Sequence, residues 1–247
     1  IRDGLAYRNG VLAAELAMNG IRGDGEVFDG PYGFYQAFFR GDYDRAPLLA
    51  GLGQQYETER ISLKPWPSIR HLHTALTAVL ELMTQHDLAF GDIREVMLSL
   101  GHVNVDRCRP VALGSVPENM HFAVAAAIRH RGIPLAIYHD TLLADDVITT
   151  AMPKVRWTYD ATLDGHTFEA SRVQIILNNG QCHATRCDIA LGHPANPMSA
   201  DQRVSKFLDC AAASVKPLSR PEAMQIVSAV VRLEQLDTIE PLMRLLA

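Results

Sequence analysis

The stretch 61–78, ISLKPWPSIRHLHTALTA, decides the fold, because two prolines stand directly before a helical pattern. Pro65 and Pro67 fix their own φ angles and bias the residues before them toward extended geometry. The segment before Ser68 is therefore predicted to be an extended arm. Ser68 is a residue type that caps helix N-termini, so a helix is predicted to begin there. The arm delivers Lys64 beside the start of that helix.

The helix after Ser68 is predicted to carry two faces. Apolar residues recur at helical spacing and form one buried stripe: Ile69, Leu72, Leu76, Val79, Leu80 and Met83. A second face, with residues three and four apart, is polar: Arg70, His73, Thr74 and Thr77. Lys64, Arg70 and the positive end of the helix dipole together suit an anionic ligand such as a carboxylate. A solvated domain surface is the alternative interpretation, and His71 is expected to face outward or to have a local partner.

The composition is that of an ordinary globular chain. The 247 residues are 48% hydrophobic and 21% charged, which allows a real core in one large or two modest domains. Lys and Arg number 23 against 28 Asp and Glu, so the net charge is −5. The chain therefore has no overall positive charge that would attract nucleic acid. No apolar run approaches the length of about 18 residues that a membrane span needs, and no signal-peptide pattern is present.

The cysteines predict reduced thiols. The four of them form no CxxC pair and have no HxxxH partner: Cys108, Cys182, Cys187 and Cys210. This usage is typical of a cytosolic protein and does not indicate a zinc or iron–sulfur site. A cluster-dependent dehydratase would need ligating cysteines, so that class is not favoured.

Periodicity and turn residues predict an α+β chain with helical segments at both ends. The helices are predicted at 1–22 (ended by Gly20 and Gly23), 35–39, 69–86, 117–128 (Pro117 in the first turn, Gly132 after the end), 140–150, from Ser199 to 215, from Pro221 and from Pro241. The strands are predicted at 93–100, continuing loosely to 105, and at 155–159, 172–177 and 181–191, with a type I′ turn at Asn179-Gly180. Residues 41–53 are predicted to be a loop, and the aromatic residues at 32–39 are predicted to lie in a core or an interface.

Four motifs, in this order along the chain, resemble the MmgE/PrpD family. They are GLAYRNGVLAA at 4–14, DGPYGF at 29–34, KPWPSIRHLHTA at 64–75 and NPMSADQRVSKF at 196–207. The resemblance implies a discontinuous all-helical domain with an inserted α+β domain whose small sheet is largely antiparallel. The expected divisions are 1–59, 60–194 and 195–247, with the active site in the crevice between the two domains.

The resemblance also implies a substrate class, an oligomeric state and a cellular location. Family members carry a long helical portion before this point, and the chain opens with Ile1 inside a helical pattern, so we expect the C-terminal part of a longer protein. A small carboxylate substrate, a homodimer formed through the helical domain and a cytoplasmic location are expected. No cofactor or metal, no nucleic acid and no membrane partner is expected.

The family's reactions imply roles for particular residues. Its members include 2-methylcitrate dehydratase, cis-aconitate decarboxylase and an iminodisuccinate epimerase, which handle a carbanion-like centre beside a carboxylate. The resemblance makes Lys64 and His73 the catalytic candidates. The substrate-binding candidates are Arg70, Ser68, Asn119 and Phe122. Lys64 is expected to be buried among the prolines and Trp66, where either its pKa falls and it does acid–base work or it remains a charged clamp.

Two positions depart from the family pattern. Ile69 stands where cis-aconitate decarboxylase presents a catalytic histidine, which argues against that activity. Phe122 stands where the family commonly has tyrosine, so a phenolic donor is lost; Asn119 and His121 are nearby polar residues, with capping or surface roles as alternatives. The leading hypothesis is a hydro-lyase of the 2-methylcitrate dehydratase type. The alternatives are an isomerase, epimerase or decarboxylase on a related acid, and a non-catalytic fragment that acts as a binding or assembly module.

Overall fold

The computed structural model describes residues 2–108, 119–135, 146–165 and 169–246. The chain divides into two compact units, Ile1–Tyr56 and Glu57–Ala247. The division into 1–59, 60–194 and 195–247 stays a prediction. The described helices include none with both the length and the apolar character that crossing a membrane requires.

The first unit contains helices with little buried surface. Its helices are α1 (Arg2–Met18), α2 (Phe34–Phe39) and α3 (Ala46–Leu49). Among its residues with described burial, only Gly30 and Gly33 are buried. Tyr32 and Phe38 are 97% and 73% exposed. The unit by itself therefore does not supply the core predicted for its aromatic residues.

Two predictions in the first unit need correction. The first helix ends at Met18 and not near residue 22, because the chain turns there and Gly20 takes a left-handed φ of 88°. Residues 41–53 were expected to be a loop, but they contain α3, with Pro47 in its first turn. Proline is well suited to that place, since the first-turn N–H groups have no intrahelical acceptor.

The second unit is built on a four-stranded sheet. Its helices are α4 (His73–Gln85), α5 (His102–Arg107), α6 (Met120–His130), α7 (Asp146–Ala151), α8 (Ala200–Ala212), α9 (Arg220–Val231) and α10 (Glu240–Leu246). Its strands are β1 (Ile93–Leu100), β2 (Val155–Tyr159), β3 (Ser171–Leu177) and β4 (Cys182–Cys187). The order is β2-β1-β3-β4, with β1 and β2 parallel and the other two pairs antiparallel. The unit thus has the α+β character that was predicted, with a mixed sheet.

The core of the second unit lies where α4 packs against β3 and β4, and where α6 packs against α4 and β2. In β1 and β3, Val96 pairs with Ile175 and Leu98 pairs with Val173, and all four side chains are fully buried. Burying a side chain of this size contributes about 1.5–3 kcal/mol. The alternation along β3 is the pattern that the sequence predicted. Helix α4 is buried on more than the predicted apolar stripe, because His73, Thr74 and Thr77 of the predicted polar face are buried as well.

The hairpin between β3 and β4 corrects the predicted turn type. Gly180 has a φ of 87°, but Asn179 does not have a positive φ, so the turn is not type I′. The Gly180 N–H donates to Leu177 O at 3.0 Å, and the Leu177 N–H donates to Gln181 O at 2.8 Å. These bonds define a three-residue loop, in which a turn is followed by a left-handed glycine that forms a bulge.

Three further predictions about element ends are wrong. The helix after Ser68 begins as a 3₁₀ turn at Arg70–Leu72 and becomes α-helical at His73, so Ser68 is not its N-cap. Strand β1 does not continue to 105, because α5 begins at His102. The return strand ends at Cys187 and not at 191, because the following segment turns back, with the Gly192 N–H donating to Asn196 O.

The C-terminal helices begin as predicted. The Ser199 side chain accepts a hydrogen bond from the Gln202 N–H and caps α8, which ends at Ala212 and not at 215. Pro221 lies in the first turn of α9. Helix α6 is capped by Asn119 and ends before Arg131, whereas Pro117 and residues 140–145 lie outside the described residues.

Candidate anion-binding site

The arm before α4 is fixed through its backbone. The Leu63 N–H donates to Gly192 O at 2.8 Å. A Cβ on Gly192 would lie 1.9 Å from Leu63 O, and the φ of Gly192 is 91°. The contact therefore requires glycine at 192 for two reasons, since a side chain would both clash and strain the backbone. It joins the arm to the segment that precedes Asn196, so two of the four motifs meet here.

Lys64 lies on the exposed side of the arm. Its side chain is exposed to solvent, and its ammonium Nζ donates to the Ser68 carbonyl at 3.1 Å. The expected burial among the prolines and Trp66 is wrong. Pro65, Trp66 and Pro67 are half-buried, whereas Lys64 beside them is exposed, and the chain bends at 65–68 where an extended arm was predicted.

Arg70 is anchored to a carboxylate that is distant in sequence. Its Nε donates to Glu169 Oε1 at 2.9 Å, and the two side chains are 21% and 11% exposed. Burial raises the pKa of the Glu169 carboxyl above its usual value, and the Arg70 charge opposes that rise. The Nη1 of Arg70 is buried without a hydrogen-bond partner among the described residues, so this guanidinium keeps unused donor capacity.

A hydrogen-bond network fixes the backbone of Glu169. The Thr74 hydroxyl donates to the Glu169 carbonyl and accepts from the Ser171 hydroxyl at 2.5 Å. The Asn104 amide donates to both the His71 carbonyl, at 2.9 Å, and the Glu169 carbonyl, at 3.2 Å. Asn104 is 1% exposed, so these bonds are shielded from water. The network ties α4, α5 and the start of β3 to the residues that follow the arm.

His73 is completely buried behind Trp66. Its exposed fraction is 0%, and the centroids of the two rings are 5.6 Å apart. Burial lowers its pKa to about 4, and the positive charges of Arg70, Lys64 and Lys206 add to the shift. The Ser68 carbonyl favours the charged ring, although neither ring nitrogen has a hydrogen bond of normal geometry within the described residues. The imidazole is therefore neutral at pH 7.

The charged and basic side chains around the arm influence one another's pKa values. We call this group the arm cluster and define it as Lys64, Arg70, His71, His73 and Glu169. The pKa of His71 is lowered, first by burial and then by the Arg107, Lys64 and Arg70 charges. The Lys64 charge likewise favours the ionised form of Glu169. The arm cluster thus contains one carboxylate beside several cationic or basic groups, an arrangement that attracts anions.

The other predicted binding residues lie in the interior. Ser68 is 6% exposed, and its carbonyl serves Lys64. The Asn119 side chain accepts from the Phe122 N–H as the cap of α6, and Asn119 is 3% exposed. Phe122 is 1% exposed and belongs to the hydrophobic core. The structure brings Ser68 to the arm cluster, whereas Asn119 and Phe122 serve the start of α6.

A cavity of about 410 Å³ adjoins the arm. We call it the arm cavity, and its lining is Pro65, Trp66, Pro67, Arg131, Ile133, Leu135, Leu191, Met198, Gln202, Ser205, Lys206 and Asp209. Trp66 forms part of its wall and also contacts His73. Among the residues that the structure describes, no three His, Cys, Asp or Glu side chains come together closely enough to hold a metal ion.

Sequence reasoning missed Glu169, Asn104 and His193. Glu169 pairs with Arg70 across 99 positions, and the His193 charge favours its ionised form. The visible signals were an acidic residue just before the strand predicted at 172–177 and an asparagine in the loose continuation of the strand predicted at 93–100. Nothing local in the sequence connects either of them to the arm.

Comparison with known proteins identifies the family. The profile of the MmgE/PrpD C-terminal domain matches residues 66–232, a span that contains the buried part of the arm cluster and the sheet. The chain belongs to the MmgE/PrpD family.

The relatives it matches are named for one activity. Human cis-aconitate decarboxylase is 24% identical over 250 residues, which cover 98% of this chain and 51% of the human protein. The mouse cis-aconitate decarboxylase is 24% identical over 254 residues, with 98% and 51% covered. A cis-aconitate decarboxylase-like protein of Aspergillus oryzae is 22% identical over 266 residues, with 100% and 54% covered. The chain spans about half the length of these relatives.

Proposed function

We propose that the protein is a lyase that acts on a small di- or tricarboxylate, and that the arm cluster binds the substrate's carboxylates. One observation carries this proposal: Lys64 and Arg70 stand together beside a neutral His73, with a single buried carboxylate, Glu169, to balance them. Lyases of this kind develop negative charge next to a carboxylate, and fixed cations stabilise that charge most in the transition state.

Lys64 and Arg70 have different parts in the proposed site. The exposed Lys64 ammonium is free to swing from the Ser68 carbonyl to a substrate carboxylate. Arg70 is held by Glu169, so its charge is fixed in place before the substrate arrives. Substrate binding therefore does not lose further conformational entropy of this side chain. Buried and neutral, His73 supports Trp66 and keeps a further positive charge away from the cluster.

Dehydration of 2-methylcitrate or a similar hydroxy acid is the reaction that we favour. In such a reaction a proton leaves the carbon beside a carboxylate, the neighbouring hydroxyl leaves with a proton, and a double bond forms. The cationic cluster stabilises the carbanion-like stage of that step. Ile69, half-buried against the core, offers no proton at the position where the family resemblance expects the decarboxylase histidine.

Decarboxylation of cis-aconitate is the second candidate, because the three relatives carry that name. An epimerase or isomerase on a related acid would use the same carbanion chemistry. Assembly as a homodimer and a cytoplasmic location stay predictions from the family resemblance.

Proton NMR in deuterated water tests the proposal. The protein is incubated with 2-methylcitrate, citrate and cis-aconitate in turn, and loss of water, loss of carbon dioxide and exchange of carbon-bound protons are followed separately. We expect dehydration that is lost in Lys64→Ala while the fold is retained, with the exposed Lys216→Ala as the matched control. Decarboxylation alone would replace the favoured reaction by the second candidate. A protein that turns over none of these acids would be a binding or assembly module.

A further inference from the structure

The arm cavity has a polar stripe on one helix and a largely apolar remainder. On α8, Gln202, Ser205, Lys206 and Asp209 all line the cavity, at the spacing of one helix face. Most of the other lining residues are apolar: Trp66, Ile133, Leu135, Leu191 and Met198. Small-molecule sites typically combine a few placed polar groups with apolar walls, and volumes of roughly 300–1,000 Å³ are usual for them.

The charges of the cavity leave one positive charge in excess. Arg131 and Lys206 are cationic and Asp209 is anionic. Within the described part of the chain, the Lys206 ammonium makes no hydrogen bond and no ion pair. Arg131 donates from Nη2 to Leu88 O at 3.0 Å, and its other contact is a 3.6 Å approach to an almost fully exposed Asp87. Both cations therefore retain donors for a ligand.

Arg131 occupies a backbone position that usually holds glycine. It follows α6 with φ 54° and ψ 36°, in the left-handed region, although Gly132 stands next to it. This conformation is less favourable for a residue with a side chain than for glycine. Residues other than glycine in this region are enriched at functional sites, and the Arg131 side chain lines the arm cavity.

We propose that the arm cavity binds a small organic monocarboxylate with an apolar body, held by Lys206 and Arg131 and packed on Trp66. One excess positive charge matches one carboxylate, and the apolar lining matches an aryl or branched alkyl group. The ligand differs in kind from the polycarboxylate proposed for the arm cluster, which has little apolar surface. Because Trp66 contacts both the cavity and His73, the two sites share a wall.

Equilibrium dialysis with labelled phenylacetate tests this site directly. We expect saturable binding to the protein with a Kd below about 1 mM. Lys206→Gln removes a charge-assisted bond and should weaken binding about tenfold. Asp209→Asn removes a repulsive carboxylate and should strengthen binding about twofold. Lys216→Gln, an exposed change of the same charge away from the cavity, should leave the Kd unchanged.

A neutral analogue, 2-phenylethanol, should not displace the label at about 10 mM. Three outcomes would overturn the proposal: no saturable binding, equal weakening in Lys206→Gln and Lys216→Gln, or displacement by the neutral analogue. The first would mean that the cavity is not a site for this class of acid. The second would reduce the effect to overall charge, and the third would make the cavity an apolar crevice without selectivity for anions.

Discussion

The two halves of the stretch 61–78 lie in opposite surroundings. Lys64 is exposed and its segment is held by a backbone bond to Gly192, whereas His73 and Thr74 are 0% exposed and belong to a side-chain network around Glu169. The buried half positions charges, and the exposed half is able to reach a ligand. Substitutions in the buried half should therefore cost stability, and side-chain substitutions in the exposed half should cost ligand binding.

Glu169→Ala should have the largest effect on stability. It removes the partner of Arg70 and leaves a mostly buried guanidinium without its counter-charge. Breaking a buried pair in this way costs about 3–5 kcal/mol of the free energy of unfolding. Lys64→Ala should change the same quantity by less than about 0.5 kcal/mol. Urea denaturation of both variants measures the difference, and equal losses would contradict the contrast between the halves.

Gly192→Ala should damage the exposed half through its backbone. A Cβ at this position would lie 1.9 Å from Leu63 O, at a φ of 91°. The matched control is Gly180→Ala, because Gly180 has a φ of 87° and open space around the added Cβ. Both variants carry the strain of a left-handed alanine, about 1 kcal/mol, and only Gly192→Ala adds the clash. We expect thermal unfolding to show that Gly192→Ala loses about 2 kcal/mol more of the free energy of unfolding than Gly180→Ala does. Losses of equal size in the two variants would mean that the arm is not anchored at Gly192.

His73 should make stability depend on pH in a definite direction. Its pKa is about 4 in the folded protein, below the ordinary 6.5, so the unfolded chain binds more protons as pH falls. The free energy of unfolding should therefore decrease from about pH 6.5 down to about pH 4, by about 3 kcal/mol from this group. His71 and His121 also have lowered pKa values and act in the same direction.

The His73 contribution is isolated by comparing variants across that pH range. His73→Gln should flatten the pH dependence of stability relative to the unsubstituted protein. His130→Gln, at an exposed side chain, is the matched control. An unchanged slope in His73→Gln would mean that the ring is not held neutral by burial.

Thr74→Val should have a smaller effect. The Thr74 hydroxyl bonds both the Glu169 carbonyl and the Ser171 hydroxyl. Valine removes both bonds, which leaves the buried Ser171 hydroxyl without this acceptor and the Glu169 carbonyl with the Asn104 donor alone. The expected loss is about 1–2 kcal/mol. Thr84→Val is the control, since the Thr84 hydroxyl donates to Leu80 O on an exposed face of the same helix and should cost less than about 0.5 kcal/mol. Chemical denaturation of the two variants side by side measures this, and similar losses would show that the network contributes little.

Local patterns made much of the second unit predictable. The body of α4, strands β1 to β3 and the Ser199 cap follow from periodicity and from residue types that act on their immediate neighbours. The turn at Gly180 was found, but its type was not, because a left-handed glycine is compatible with both a type I′ turn and a bulged loop. The first unit shows the limit of prediction from local patterns. Its apolar residues indicate a buried surface, but the pattern does not identify the surface against which they would pack.

The site was only half predictable for a related reason. Lys64, Arg70 and His73 belong to one motif and were found together, with the helix start misplaced by several residues because the 3₁₀ turn at Arg70–Leu72 precedes the α-helix. Glu169, which balances Arg70, lies 99 residues away and is brought near only by the sheet. Exposure was also misjudged at Lys64, because flanking prolines restrict the backbone without saying which side faces the core.

The most direct test of the cationic arm is the affinity of the protein for tricarballylate, a tricarboxylate with no hydroxyl to lose. Calorimetric titration compares the unsubstituted protein, Lys64→Gln and Lys216→Gln at low salt. Loss of a charge-assisted contact predicts about tenfold weaker binding in Lys64→Gln alone, with its melting temperature unchanged. Equal affinity in all three proteins would contradict the account.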